Sequence, residues 1–223
     1  MMNILLGLLL ALTPNDPYFY NQPLPEISVP AAWDVTTGSA AIIIAIVDAG
    51  VDGTHEDLVA KMVPGRNIFD NNTDTHDAGA GRGTWAAGTA AAVTNNAKGV
   101  AGVCWACKIM PVRVSDQYVL ASMADIASGI RWAADHGARV AAVGYPVQND
   151  PTVMAAAQYM QSAGGVVVAA SGNDAWISTD PDTPYIVTVG AMSTFGTPPP
   201  YANTGTNLDV VAPACNWAPT PLG

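Results

Sequence analysis

The chain has 223 residues, enough for one sizeable core, and half of them are hydrophobic while 12% are charged, which excludes a disordered polymer. With 8 Lys and Arg against 18 Asp and Glu the net charge is -10, so no basic stripe is available to replace counterions on a nucleic acid. Met1 to Leu12 is apolar but too short to span a bilayer. It resembles the hydrophobic part of a signal peptide, without the basic start or the small-residue cleavage site, and we read 1–13 as an apolar leader that implies secretion.

Pro30 to Asp34 reads as a short helical turn, and the apolar, β-branched run 41–47 as a strand buried on both faces. Val63 to Phe69 is a second strand candidate, separated by the polar loop 70–81 from a helix over Thr84 to Val93 built almost wholly of small residues. Lys108 to Val114 is the next strand. Met123, Ile126, Ala127 and Ile130 then repeat at helical spacing, and His136-Gly137 stops that helix, with His136 as a charge at its C-terminus. After strand 138–143, Asp150-Pro151 opens a helix with an N-cap and a first-turn proline. Strands follow at 166–170, 185–191 and 208–211. Strands alternating with helices predict an α/β fold with a doubly wound parallel sheet.

Asp48 ends strand 41–47, at the edge where open α/β sheets place their sites, although an Asp after a strand also serves as a simple turn residue. Two later stretches give it context. Gly81-Arg82-Gly83-Thr84-Trp85-Ala86-Ala87-Gly88-Thr89 resembles the Gly-His-Gly-Thr-His-x-Ala-Gly helix start of subtilisin-like serine proteases, and Ala169-Ala170-Ser171-Gly172-Asn173 resembles their oxyanion-hole segment. With Val47-Asp48-Ala49-Gly50 they stand in that family's order and spacing, and the likeness, nearest the thermitase-like branch, runs from about Pro14 to the vicinity of Thr220.

The resemblance implies that Asp48 is the aspartate that orients a catalytic histidine and that Asn173 donates to the oxyanion. It also exposes departures. Arg82 occupies the histidine position, and a guanidinium, which does not give up its proton in a protein, cannot take one from serine; it can pair with Asp48. His55, His76 and His136 lie elsewhere, and only His76 stands near Arg82 in sequence. After Val211-Ala212-Pro213 the family continues to a Gly-Thr-Ser-Met-Ala segment, whereas no serine before Gly223 has that context. Ala49 stands for a Thr or Ser, Val119-Leu120-Ala121 for a Gly-x-Gly substrate rail, and Gly144-Tyr145-Pro146 for Ser-Leu-Gly. We therefore read 14–223 as an incomplete subtilisin-like peptidase domain that lacks its propeptide and its C-terminal portion. Losing the helix that follows would uncover apolar sheet surface and promote self-association.

The resemblance further implies a structural Ca²⁺ held by Asp16, Asp57, Asn96 and the carbonyls of Val93, Lys98 and Val100, about six hard oxygen ligands. A second acidic group, Asp70, Asp74 and Asp77, reads as a solvated turn or a weak Ca²⁺ site. Cys104 and Cys107 form a lone C-x-x-C, either a local disulfide or two free thiols, with Cys215 the odd one out. Gly79 to Gly83 does not complete G-x-G-x-x-G, which excludes a dinucleotide loop. The expectation is a member of the serine endopeptidase family that is inactive, the alternative being a calcium-stabilised pseudoprotease that binds a peptide or protein.

Overall fold

The computed structural model describes residues 12–147 and 149–214; the apolar leader up to residue 11 and Cys215 lie outside them. Among the described residues the strands are β1 (Ile43–Asp48), β2 (Arg66–Asn67), β3 (Lys108–Arg113), β4 (Val140–Val143), β5 (Val166–Ala170), β6 (Ile177–Ser178), β7 (Ile186–Met192), β8 (Thr204–Gly205) and β9 (Val210–Pro213). Seven of them form one parallel sheet in the order β2-β3-β1-β4-β5-β7-β9, while β6 and β8 make a separate two-residue pair. The helices are α1 (Val29–Trp33), α2 (Arg82–Ala91), α3 (Met123–Asp135) and α4 (Pro151–Ser162).

Strand β1 lies between two cores, as its unbroken apolar run requires. Ala45 and Val47 face a cluster that includes Ile126 and Ile130 of α3 and Val153 and Met160 of α4. Ile44 and Ile46 face the opposite way, toward Ala87 and Ala91 of α2. Helices thus cover both faces, and the α/β, doubly wound expectation holds. Local chemistry sets the helix ends: the Ser122 hydroxyl caps Asp125 N–H at the start of α3, and the Asp150 carboxylate caps Thr152 and Val153 N–H at the start of α4.

Two boundaries differ from the sequence pattern for identifiable reasons. Helix α2 begins at Arg82 rather than Thr84 because the Asp77 carboxylate reaches in from the preceding loop, accepting from Gly79 and Gly81 N–H and from Thr84 N–H at 2.9 Å. The expected strand 63–69 shrinks to Arg66–Asn67. Val63 N–H still bonds Ile109 O and Ile68 N–H bonds Arg113 O, so the partner residue between them on that side is Pro111, which has no N–H to give. Gly65 fits there only because it lacks a side chain: a Cβ would stand 2.0 Å from Pro111 O.

Cys104 and Cys107 are joined in a disulfide. His136 stacks on Trp132 with ring centroids 3.9 Å apart and its Nδ1 lies 2.7 Å from Trp132 O, a structural role at the end of α3. On edge strand β9, Val210 and Val211 are about half exposed.

Candidate active site

The sheet brings its site residues to one edge. Register pairs Val47 of β1 with Val143 of β4, and Val143 with Ala169 of β5, so Asp48 and Ala170 end their strands, and Gly144 follows the end of β4, at one level. Asn173 follows three residues after the end of β5, a strand two places from β1 and about 10 Å from it at the usual strand spacing.

Asp48 is 2% exposed, and its Oδ1 accepts the Ala49 N–H at 2.7 Å. Helix α2 starts hard against the loop after β1, since a Cβ on Gly83 would lie 1.9 Å from Gly50 O. That approach sets Arg82 beside Asp48, with Nε 3.6 Å from Oδ1 and the side chain 36% exposed. The guanidinium carbon lies 4.5 Å over the Tyr145 ring, a cation–π contact. Gly144 fills the remaining gap: a Cβ there would stand 1.9 Å from Asp48 Oδ2 and 2.9 Å from Arg82 Nη2. The expected Asp48–Arg82 pairing is present as an ion pair longer than a hydrogen bond.

Burial pushes the Asp48 carboxyl above the usual carboxylate range, opposed by Arg82 and the Ala49 N–H and reinforced by the negative charge of Asp77. Desolvation outweighs the arginine. Burial likewise raises the Tyr145 phenol; Ser115 is near enough to favour its ionised form, although the hydroxyl makes no hydrogen bond to it in this geometry.

The asparagine is displayed to solvent by a braced loop. Asn173 is exposed, and Gly172 before it takes φ +103°, a conformation suited to glycine. The brace is Asn203, whose Oδ1 accepts Asp174 N–H at 2.9 Å and Trp176 N–H at 3.0 Å while its Nδ2 donates to Ser171 O at 2.9 Å. Sequence reasoning missed Asn203, which is distant in the chain from the loop it holds. Pro146 packs against this loop, 3.3 Å from where a Gly172 Cβ would be.

On the other wall, Asp116 organises 118–120 by accepting Tyr118 and Leu120 N–H through its Oδ1. Val119 retains a left-handed backbone, φ +63°, that suits glycine better than a β-branched residue. Tyr118 and Leu120 are exposed by 73% and 69%. The Asp70, Asp74 and Asp77 carboxylates diverge: Asp70 pairs with Arg113, Asp74 accepts His76 N–H, and Asp77 caps α2. Among the described residues no three His, Cys, Asp or Glu side chains are grouped to hold a metal. His76 is exposed and, among the described residues, makes no ion pair with Asp48.

Away from the cleft, Asp16 and Asp57 are 3% and 2% exposed and face one loop. Asp16 accepts Asn95 N–H at 2.7 Å and Asn96 N–H at 3.3 Å; Asp57 accepts Asn96 Nδ2 at 2.7 Å and Val100 N–H at 3.0 Å. Among the described residues neither carboxylate has a Lys or Arg partner, and Lys98 turns outward to Glu56 at 2.7 Å. Two buried anions held by N–H donors, with a longer-range attraction between Lys98 and Asp57, suit a hard divalent cation. The Asn96 oxygen is turned to Lys98 N–H and the Val93 N–H is spent on Asp57 O, so both join the loop scaffold.

A buried carboxylate at the end of a parallel strand, a helix N-terminus against it and an asparagine loop on the same edge define a serine-peptidase-like α/β domain. Residues 39–222 match the model of the Subtilase family, and the chain belongs to that family. It is 38% identical over 218 residues to a thermophilic serine proteinase of Bacillus sp. (strain AK1), covering 96% of this chain and 54% of that protein. It is 40% identical over 213 residues to thermitase of Thermoactinomyces vulgaris, covering 92% and 74%. An extracellular protease of Xanthomonas campestris pv. campestris is 31% identical, over 91% of this chain and 42% of that one. A solved protease from Pseudoalteromonas arctica superposes with a TM-score of 0.81 at 32% identity, over 93% of this chain and 74% of its own. The chain thus spans about half the length of the Bacillus relative. Among the described residues no helix is long and apolar enough to cross a membrane.

Proposed function

We propose that this domain is a pseudoprotease: a secreted, calcium-stabilised subtilase fold that binds a peptide or protein at the family's cleft without hydrolysing it. The observation that carries this reading is Arg82, first residue of α2, with its guanidinium on the orienting aspartate Asp48. General-base catalysis needs a group that gains and loses a proton near neutral pH, and an arginine beside a carboxylate does neither. Asn173 keeps the place of an oxyanion donor, so a bound backbone carbonyl still has a partner. The exposed Tyr118 and Leu120 offer apolar contacts on the opposite wall.

Calcium would be held by Asp16 and Asp57 with the carbonyls of Val93, Lys98 and Val100, and by Asn96 once its amide oxygen turns from Lys98 N–H. It would tie the N-terminal segment to the loop after α2. Two measurements test the reading. Hydrolysis of a casein or peptide substrate by the pure protein, abolished by phenylmethylsulfonyl fluoride, would overturn the loss of activity. A thermal melt is expected to move up with excess Ca²⁺ and down with chelator, and Asp57→Asn is expected to remove most of that difference.

A further inference from the structure

Arg82 differs from Arg66, Arg113 and Arg139 in how its donors are used. Arg113 spends Nε on Ser115 O and pairs Nη2 with Asp70, Arg139 gives Nη1 to Ala163 O, and Arg66 gives Nη2 to Asn71. The Arg82 guanidinium is held from two sides, by the Asp48 charge and by the Tyr145 ring, neither of which takes a hydrogen bond from it. Its N–H fork is thus positioned yet unspent among the described residues, in a side chain 36% exposed at the mouth of the cleft. A planar, pre-oriented fork with free donors suits a carboxylate in bidentate geometry.

The surroundings select the kind of ligand. Trp85, one turn on, is 74% exposed and packs beside Gly81; Val119 approaches Gly79, which brings the exposed Tyr118 and Leu120 segment to the same mouth. An apolar rim around one cation fits an acidic group flanked by apolar residues. The net charge of -10 repels polyanions and leaves a single local contact as the basis for recognition.

We infer that Arg82 is the recognition residue for a peptide carboxylate, a Glu or Asp side chain or a chain-terminal carboxylate, entering the cleft beside β1. The inference rests on the pseudoprotease reading and narrows its ligand. Asp48 competes for the same guanidinium, so neutralising Asp48 strengthens the contact and removing Arg82 abolishes it.

The test is fluorescence-anisotropy titration of the 223-residue protein with labelled apolar heptapeptides. One has a central Glu and an amidated end, its counterpart has Gln, and a third has Gln and a free C-terminus. The expected result is binding of the Glu peptide or the free-terminus peptide about tenfold or more tightly than the amidated Gln peptide. Whichever of the two binds identifies the source of the carboxylate. Arg82→Ala should erase the difference, Arg82→Lys should retain a smaller one, and Asp48→Asn should enlarge it, with near-ultraviolet circular dichroism confirming that each variant is folded. Equal binding of all three peptides would overturn the carboxylate assignment and leave the binding reading standing. Absence of binding by every peptide would overturn both, and cleavage of the peptides would overturn the pseudoprotease reading itself.

Discussion

Replacing Arg82 by alanine isolates the electrostatics of the cleft from its packing. The charges are 3.6 Å apart, an attraction of about 1 kcal/mol in a water-like medium and about 5 kcal/mol in a protein-like one. Arg82 is 36% exposed, which places the effective value near the lower end, about 2 kcal/mol. Burial already holds the Asp48 carboxyl above its ordinary range, so the folded state keeps this proton more firmly than the unfolded chain. Stability from this group is present at acid pH and is lost as pH rises through the folded pKa. Arg82→Ala raises that pKa further, carries the loss to higher pH, and should cost about 2 kcal/mol at neutral pH but little where Asp48 is protonated. Urea unfolding across about pH 5 to 8 measures this, with the Asp48 carboxyl carbon followed by NMR. In an Asp48→Asn background the same substitution should cost almost nothing, and the pH slope should flatten. An Arg82→Ala loss independent of pH, or an unmoved Asp48 titration, would refute the reasoning.

The other predictions concern shape and bracing. Gly144→Ala puts a Cβ 1.9 Å from Asp48 Oδ2, and the forced displacement should cost about 2–3 kcal/mol in urea unfolding. Asn203→Ala removes three hydrogen bonds from the loop that carries Asn173, and should cost about 2 kcal/mol while speeding hydrogen exchange at the Asp174 and Trp176 amides. Unchanged exchange at those amides would mean the loop is held by something else.

Legibility in the sequence followed the range of the interactions. β1 was readable because its apolar run meets both cores, and α3 and α4 because their caps and periodicity are local. Helix α2 starts two residues before the point its own sequence pattern predicts, because its cap, Asp77, sits outside the helix and a glycine-rich turn away. The break in the 63–69 strand is written in its neighbour, at Pro111, and cannot be seen in the strand's own residues. Asp48, Arg82 and Asn173 are legible as a set only through their resemblance to the family's motifs; taken singly each reads as an ordinary turn or surface residue. Asn203 gave no signal, since an asparagine acting through three bonds to a distant loop looks in sequence like any turn residue. The C-x-x-C left two outcomes open that only the folded chain separated.

Gly144 also bears on the side chains the cleft can hold. A side chain at 144 would collide with Asp48 and stand 2.9 Å from the Arg82 Nη2, so any larger residue at 144 has to displace both side chains from this arrangement. The two positions are therefore coupled: a side chain at 144 is expected to push the Arg82 guanidinium from its place over the Tyr145 ring.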